Sequence, residues 1–64
     1  MENDKPTAYL LGEDGNVFNL IGIATKVLRK NKMYKESAEM GNRVLISQSY
    51  DEAISIISEY VNIE

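Results

Sequence analysis

Residues 16–30 read NVFNLIGIATKVLRK, and within them apolar side chains fall at Val17, Leu20, Ile21, Ala24, Val27 and Leu28. Steps of three and four place these residues on one face of a helix, and Asn16 stands where a side-chain oxygen can cap the first turn. Phe18 and Ile23 lie on opposite flanks of that face, so the helix is apolar over more of its circumference than packing in one small body requires. The surplus predicts a second surface. Gly22 sits inside the helix, where glycine costs about 1 kcal/mol relative to alanine, and close approach of another backbone or a ligand would account for it.

Toward the N-terminus, Gly12-Glu13-Asp14-Gly15-Asn16 reads as a strand-to-helix turn with Asp14-Gly15 as its signal. The same loop lacks the oxygen count and the spacing of a calcium loop, and Glu13 and Asp14 would repel a phosphate. Before it, Thr7 to Leu11 (TAYLL), bounded by Pro6 and Gly12, suits a short strand. Residues 1–6 are charged and polar, ending in the chain's proline, and predict a mobile tail ahead of a single domain over 7–64.

Toward the C-terminus, a second helix is predicted from Met33 to Ile46 with Met33, Tyr34, Ser37, Ala38, Gly41, Val44 and Leu45 inward. Glu36 and Glu39 follow Lys32 and Lys35 at the spacing of helix ion pairs. An alternative ends that helix at Gly41-Asn42 and makes Arg43 to Ser47 a strand, because a short Val-Leu-Ile run does not discriminate by periodicity. Ser49-Tyr50-Asp51-Glu52 reads as a capping box opening a third helix, whose face is Tyr50, Ala53, Ile54, Ile57, Tyr60 and Val61. Asp51, Glu52 and Glu59 fall on its N-terminus and polar side and read as surface carboxylates rather than a catalytic pair. The ending Val61 to Glu64 alternates and suits a strand paired with Thr7 to Leu11. The predicted fold class is α+β in the order β-α-α-α-β.

The 64 residues contain no Cys, His or Trp and carry a formal charge of −3. A body of this size has a marginal core. Without Cys or His it has neither a disulfide nor a structural zinc site to reinforce it, so a homo-oligomer is expected. The same absences remove the usual neutral-pH proton shuttle and the strongest nucleophile, and no phosphate-cradle or nucleophile-elbow motif occurs. The expectation is a protein that is not an enzyme, with no metal and no cofactor. No apolar run is long enough to span a bilayer, and the charged start differs from a secretion signal, so a soluble, cytoplasmic protein is expected.

Lys26, Arg29, Lys30, Lys32 and Lys35 cluster about the end of the first helix. The helix dipole favours cations there. With Arg43 and Tyr34, the residues Arg29, Lys30, Lys32 and Lys35 also form a candidate site for an anion or a small phosphorylated ligand. The net acidity argues against nucleic acid as the main partner. Phe18, Gly22, Ile23 and Tyr9 are the candidate partner or oligomer interface, aromatic rings suiting both core and contact roles.

Leu11-Gly12-Glu13-Asp14-Gly15-Asn16-Val17-Phe18, then Gly22, and the ending Glu59-Tyr60-Val61-Asn62-Ile63-Glu64 resemble a group of small uncharacterised proteins of low-GC Gram-positive bacteria and their phages. Those proteins begin with a strand ending in GEDGN, continue V/A-F-x-x-x-G and close with EYV-x-V/I-E. The likeness spans nearly the whole chain and is loosest between Asn31 and Ser49. It implies no activity, but it implies a phage or mobile-element accessory protein and a helix near Val44. The expectation for function is therefore a non-enzymatic accessory protein that binds and blocks a host component, with antiviral defence as a candidate target. The alternatives are an oligomeric sponge for a nucleotide-like molecule and, more weakly, a small DNA-binding regulator.

Overall fold

A computed structural model describes residues 5–64. The elements run β1 (Thr7–Ala8), α1 (Val17–Lys30), α2 (Tyr34–Leu45), α3 (Tyr50–Tyr60) and β2 (Asn62–Ile63), which is the β-α-α-α-β order the sequence predicts. The strands pair in parallel, Thr7 opposite Asn62 and Ala8 opposite Ile63. Parallel strands need a long crossover, and here all three helices supply it. Both strands are shorter than the sequence predicts. Beyond Ala8 the pairing narrows to one acceptor, the Glu64 carbonyl, which takes N–H bonds from Leu10 at 2.7 Å and Leu11 at 2.9 Å.

Of the tail expected at 1–6, residues 1–4 lie outside the described residues, while Lys5 and Pro6 are tied to the fold. The Pro6 carbonyl accepts from the Asn62 amide at 2.8 Å, the Lys5 carbonyl accepts from the Asn62 side chain at 3.0 Å, and Lys5 Nζ donates to the Ser58 carbonyl at 2.9 Å.

Local chemistry sets the helix boundaries. Asn16 Oδ1 accepts from the Phe18 amide at 2.8 Å, and Asp14 Oδ1 accepts from the Asn16 amide at 3.0 Å, which fixes the entry to α1. The tight turn lies earlier than the Asp14-Gly15 signal. The Glu13 amide donates to the Leu10 carbonyl at 3.1 Å, and Gly12 takes φ +90°, the backbone a type II turn requires at its third position. At the other end of α1, the Lys32 amide donates to Arg29 and the Met33 amide to Leu28, both at 2.9 Å. These are the bonds of a left-handed helix stop, with Lys32 at φ +62° in the position usually taken by glycine. Ser49 caps α3 by accepting from the Glu52 amide at 3.0 Å. The returning Glu52 carboxylate accepts from the Gln48 amide rather than that of Ser49.

The core comprises Leu20, Ala24 and Leu28 of α1, Met40 and Val44 of α2, Ala53, Ile56 and Ile57 of α3, with Ala8, Leu10 and Val61 from the strand ends. The α1 face is the predicted one. Ser37 and Val44 of the predicted α2 face are buried, but the face is rotated toward Met40, which the prediction left out, and Tyr34, Ala38 and Leu45 of the predicted face are exposed. Met40 decides this, because its unbranched side chain is fully enclosed between the helices and can fill an irregular gap. Of the predicted third-helix face Ala53, Ile57 and Val61 are buried, but Tyr50 of that face is exposed and Ile56, outside it, is buried. Residues 43–45 continue α2 as helix, so the alternative strand is not formed.

Candidate functional site

The N-terminus of α1, the C-terminus of α2 and the N-terminus of α3 meet around an apolar groove of about 370 Å³. Val17, Phe18 and Ile21 form one wall, Val44 and Leu45 the second, Tyr50 and Ala53 the third, and the Ser47–Ser49 link closes one end. Among the described residues no Asp, Glu, Lys or Arg lines it. Around and beside it Phe18 is 71% exposed, Leu45 71%, Ile46 78% and Tyr50 50%.

Helix-end chemistry places these side chains. The Asn16 cap makes Val17 and Phe18 the first residues of α1, and the Ser49 cap makes Tyr50 the first of α3. Ser47 ends α2 by donating from both its hydroxyl, at 2.6 Å, and its amide, at 3.1 Å, to the Val44 carbonyl. Leu45 and Ile46, flanking buried Val44 on the other side, are thereby left facing outward. Tyr50 leans on the turn before α1, since a Cβ added at Gly15 would stand 3.5 Å from its hydroxyl.

Of the four interface candidates, Phe18 lines this groove, and it also borders a shallower depression along α1 with Gly22 and Ile23. Tyr9 is exposed after β1 and lines neither. The outward surplus of α1 is smaller than its sequence implies, because Ile23 is half-buried against the core. Among the described residues nothing from a neighbouring element lies within 4 Å of a Cβ added at Gly22, so no close approach among them accounts for that glycine. The sequence reading missed Leu45, Ile46 and Tyr50 as surface residues. The signal was the run Val44-Leu45-Ile46 before Ser47, since three consecutive apolar residues cannot share one helix face.

The cationic candidates divide. Lys26, Arg29, Lys30, Lys32 and Lys35 are exposed, as is Tyr34 among them at 58%. Arg43 does not join them. Its guanidinium grips Glu59 with both nitrogens, Nη1 to Oε1 at 2.6 Å and Nη2 to Oε2 at 3.1 Å. Nη1 also donates to the Tyr60 hydroxyl at 3.2 Å, and that hydroxyl donates to Glu39 at 3.4 Å. The Arg43 Cζ lies 5.8 Å from the Tyr60 ring centroid. The hydrogen bonds to Arg43 hold the Glu59 carboxyl below its usual pKa, and the same contacts raise that of Arg43. This cluster joins α2 to α3 and occupies the Arg43 guanidinium with a carboxylate of the fold. The expected pairing of Glu36 and Glu39 with Lys32 and Lys35 is not formed. Among the described residues the salt bridge present is Arg43–Glu59.

No family model, curated protein or solved structure matches this chain. Among the described residues no helix is long and apolar enough to cross a membrane, and no group of three or more His, Cys, Asp or Glu is placed to hold a metal ion.

Proposed function

We propose that this chain is a non-enzymatic accessory protein of phage or mobile-element type, acting in the host cytoplasm by binding and blocking a host protein, with antiviral defence the candidate target. The observation that carries the binding part is the uncharged apolar groove rimmed by Phe18, Leu45 and Tyr50. Exposed apolar patches of this kind mark association surfaces, and aromatic anchors beside a pocket supply most of the energy of such contacts. A groove between helix ends, with no charge to desolvate, accepts the apolar face of a partner's helix. The phage or mobile-element part rests on the sequence resemblance.

The test is affinity capture from host lysate using the wild-type chain beside Phe18→Asp and Leu45→Asp, with circular dichroism establishing that both variants fold. A partner retained by the wild type and lost from both variants supports the reading. Recovery of nothing above background, or of the same proteins on all three, overturns it. Native mass spectrometry separates the remaining readings. A dimer abolished by Phe18→Asp assigns the groove to a second copy, whereas an oligomer carrying releasable mass supports the nucleotide sponge, which the exposed cations beside Tyr34 favour.

A further inference from the structure

The turn between α1 and α2 concentrates charge in a way the net charge conceals. From Gly15 through Lys35 there is no Asp or Glu, and the stretch holds Lys26, Arg29, Lys30, Lys32 and Lys35. Lys5 and Arg43 share the rest of the chain with all ten carboxylates. The molecule is therefore strongly polar, with a cationic edge about one turn and an acidic remainder.

The fold accounts for only part of that edge. Arg29 and Lys30 lie in the last turn of α1, where the helix dipole favours them. Lys32 and Lys35 sit against local preference. Lys32 occupies the left-handed backbone at φ +62°, which L-residues other than Asn and Asp rarely adopt, and glycine would relieve the strain. Lys35 lies in the first turn of α2, where the dipole disfavours a cation, and the Met33 side chain provides no cap to that helix. Among the described residues no carboxylate pairs with either lysine, although Glu36 and Glu39 follow at helix spacing. Glu36, the next residue, supplies the acidic side chain that the first turn of α2 favours, so the unrelieved cost rests on Lys32, and a local rule broken there points to a function. An anionic partner would offset it.

Tyr34, exposed between Lys32 and Lys35, narrows the chemistry. Cations flanking an open aromatic ring suit a strand whose phosphates meet the charges while an unpaired base stacks on the ring. A duplex hides its base faces, and an acidic peptide has none to offer. The acidic remainder keeps every other face away from a polyanion. We propose that the α1–α2 turn binds the backbone of single-stranded nucleic acid, with Tyr34 as the stacking platform. This surface is separate from the apolar groove, and the proposal does not depend on the groove's partner.

The test is fluorescence anisotropy of the full chain with labelled oligo-U and oligo-dT of about 12 nucleotides, beside a duplex of equal length and polyglutamate. Five neutralised phosphates give a log–log salt slope of about −3.5, so affinity should fall roughly 100-fold between about 50 and 200 mM salt. Tyr34→Ala should weaken binding at least about fivefold, and Arg29→Glu should abolish it. Lys32→Gly is the discriminating variant: it should raise Tm, by relieving the backbone, while weakening binding and reducing the slope by about 0.7. Absence of binding at about 50 mM salt overturns the proposal, as does affinity unmoved by Arg29→Glu and Lys32→Gly. A lowered Tm for Lys32→Gly overturns the strain argument. Equal affinity for duplex or polyglutamate, with no effect of Tyr34→Ala, overturns the assignment to single strands.

Discussion

Replacing Gly22 and Gly41 with alanine should stabilise this protein, and the expected size follows from the two sites. Gly22 lies within the fourteen residues of α1 and Gly41 within the twelve of α2. At neither does an added Cβ meet a neighbouring element's atom within 4 Å, and neither glycine takes a positive φ. Each change removes a helix-propensity deficit of about 0.8 to 1 kcal/mol, part of it through the entropy of the unfolded chain. For a chain of 64 residues, an unfolding entropy of about 2.1 cal/mol/K per residue makes 1 kcal/mol worth about 7 °C in Tm. The sites are on different helices, so the effects should add to about 11–14 °C in the double variant. Thermal unfolding followed at 222 nm over a hundredfold range of protein concentration is the assay. A lowered Tm at Gly41 would refute the packing described for α2. A Gly22→Ala variant that loses stability only at high concentration would show that a second copy approaches α1 there, as the sequence had implied.

Removing either helix cap, by Asn16→Ala or Ser49→Ala, should cost about 1 kcal/mol, read as a Tm lowered by about 7 °C; an unchanged Tm would show the cap bonds to be idle. Met40→Ala empties the centre of the fully enclosed α2 contact and should cost about 2–5 kcal/mol, enough to leave little folded protein in a domain this small; urea melts that coincide with wild type would refute the rotated α2 face. Glu59→Gln tests the Arg43 cluster. The Glu59 pKa is lowered on folding, so its contribution is present above the ordinary carboxylate pKa of about 4.3 and is lost as pH falls through the folded value. The Tm difference from wild type should therefore be present at neutral pH, disappear in acid, and shrink with salt because the pair is exposed; a difference that persists in strong acid would assign the effect to packing.

Much of the fold is written locally. The three-and-four spacing from Val17 to Leu28, the Asn16 and Ser49 caps and the alternation after Val61 each involve residues within a few positions of one another, and each appears where the sequence places it. The α2 face was less legible. The stripes Tyr34-Ala38-Leu45 and Ser37-Met40-Val44 both satisfy helix spacing, and only the space between the other two helices selects Met40 for burial.

Element order, the starts of α1 and α3 and the bias of cations toward one turn follow from short-range sterics, capping bonds and residue order, and all are legible along the chain. Long-range packing set the remainder. It paired the strands in parallel through the three-helix crossover, and it withdrew Arg43 from the cationic group by bringing it to Glu59, sixteen residues away. It also assembled the groove from three helix ends. Which long-range neighbours meet depends on how the buried volumes of all the elements fit at once, and no local pattern encodes that fit.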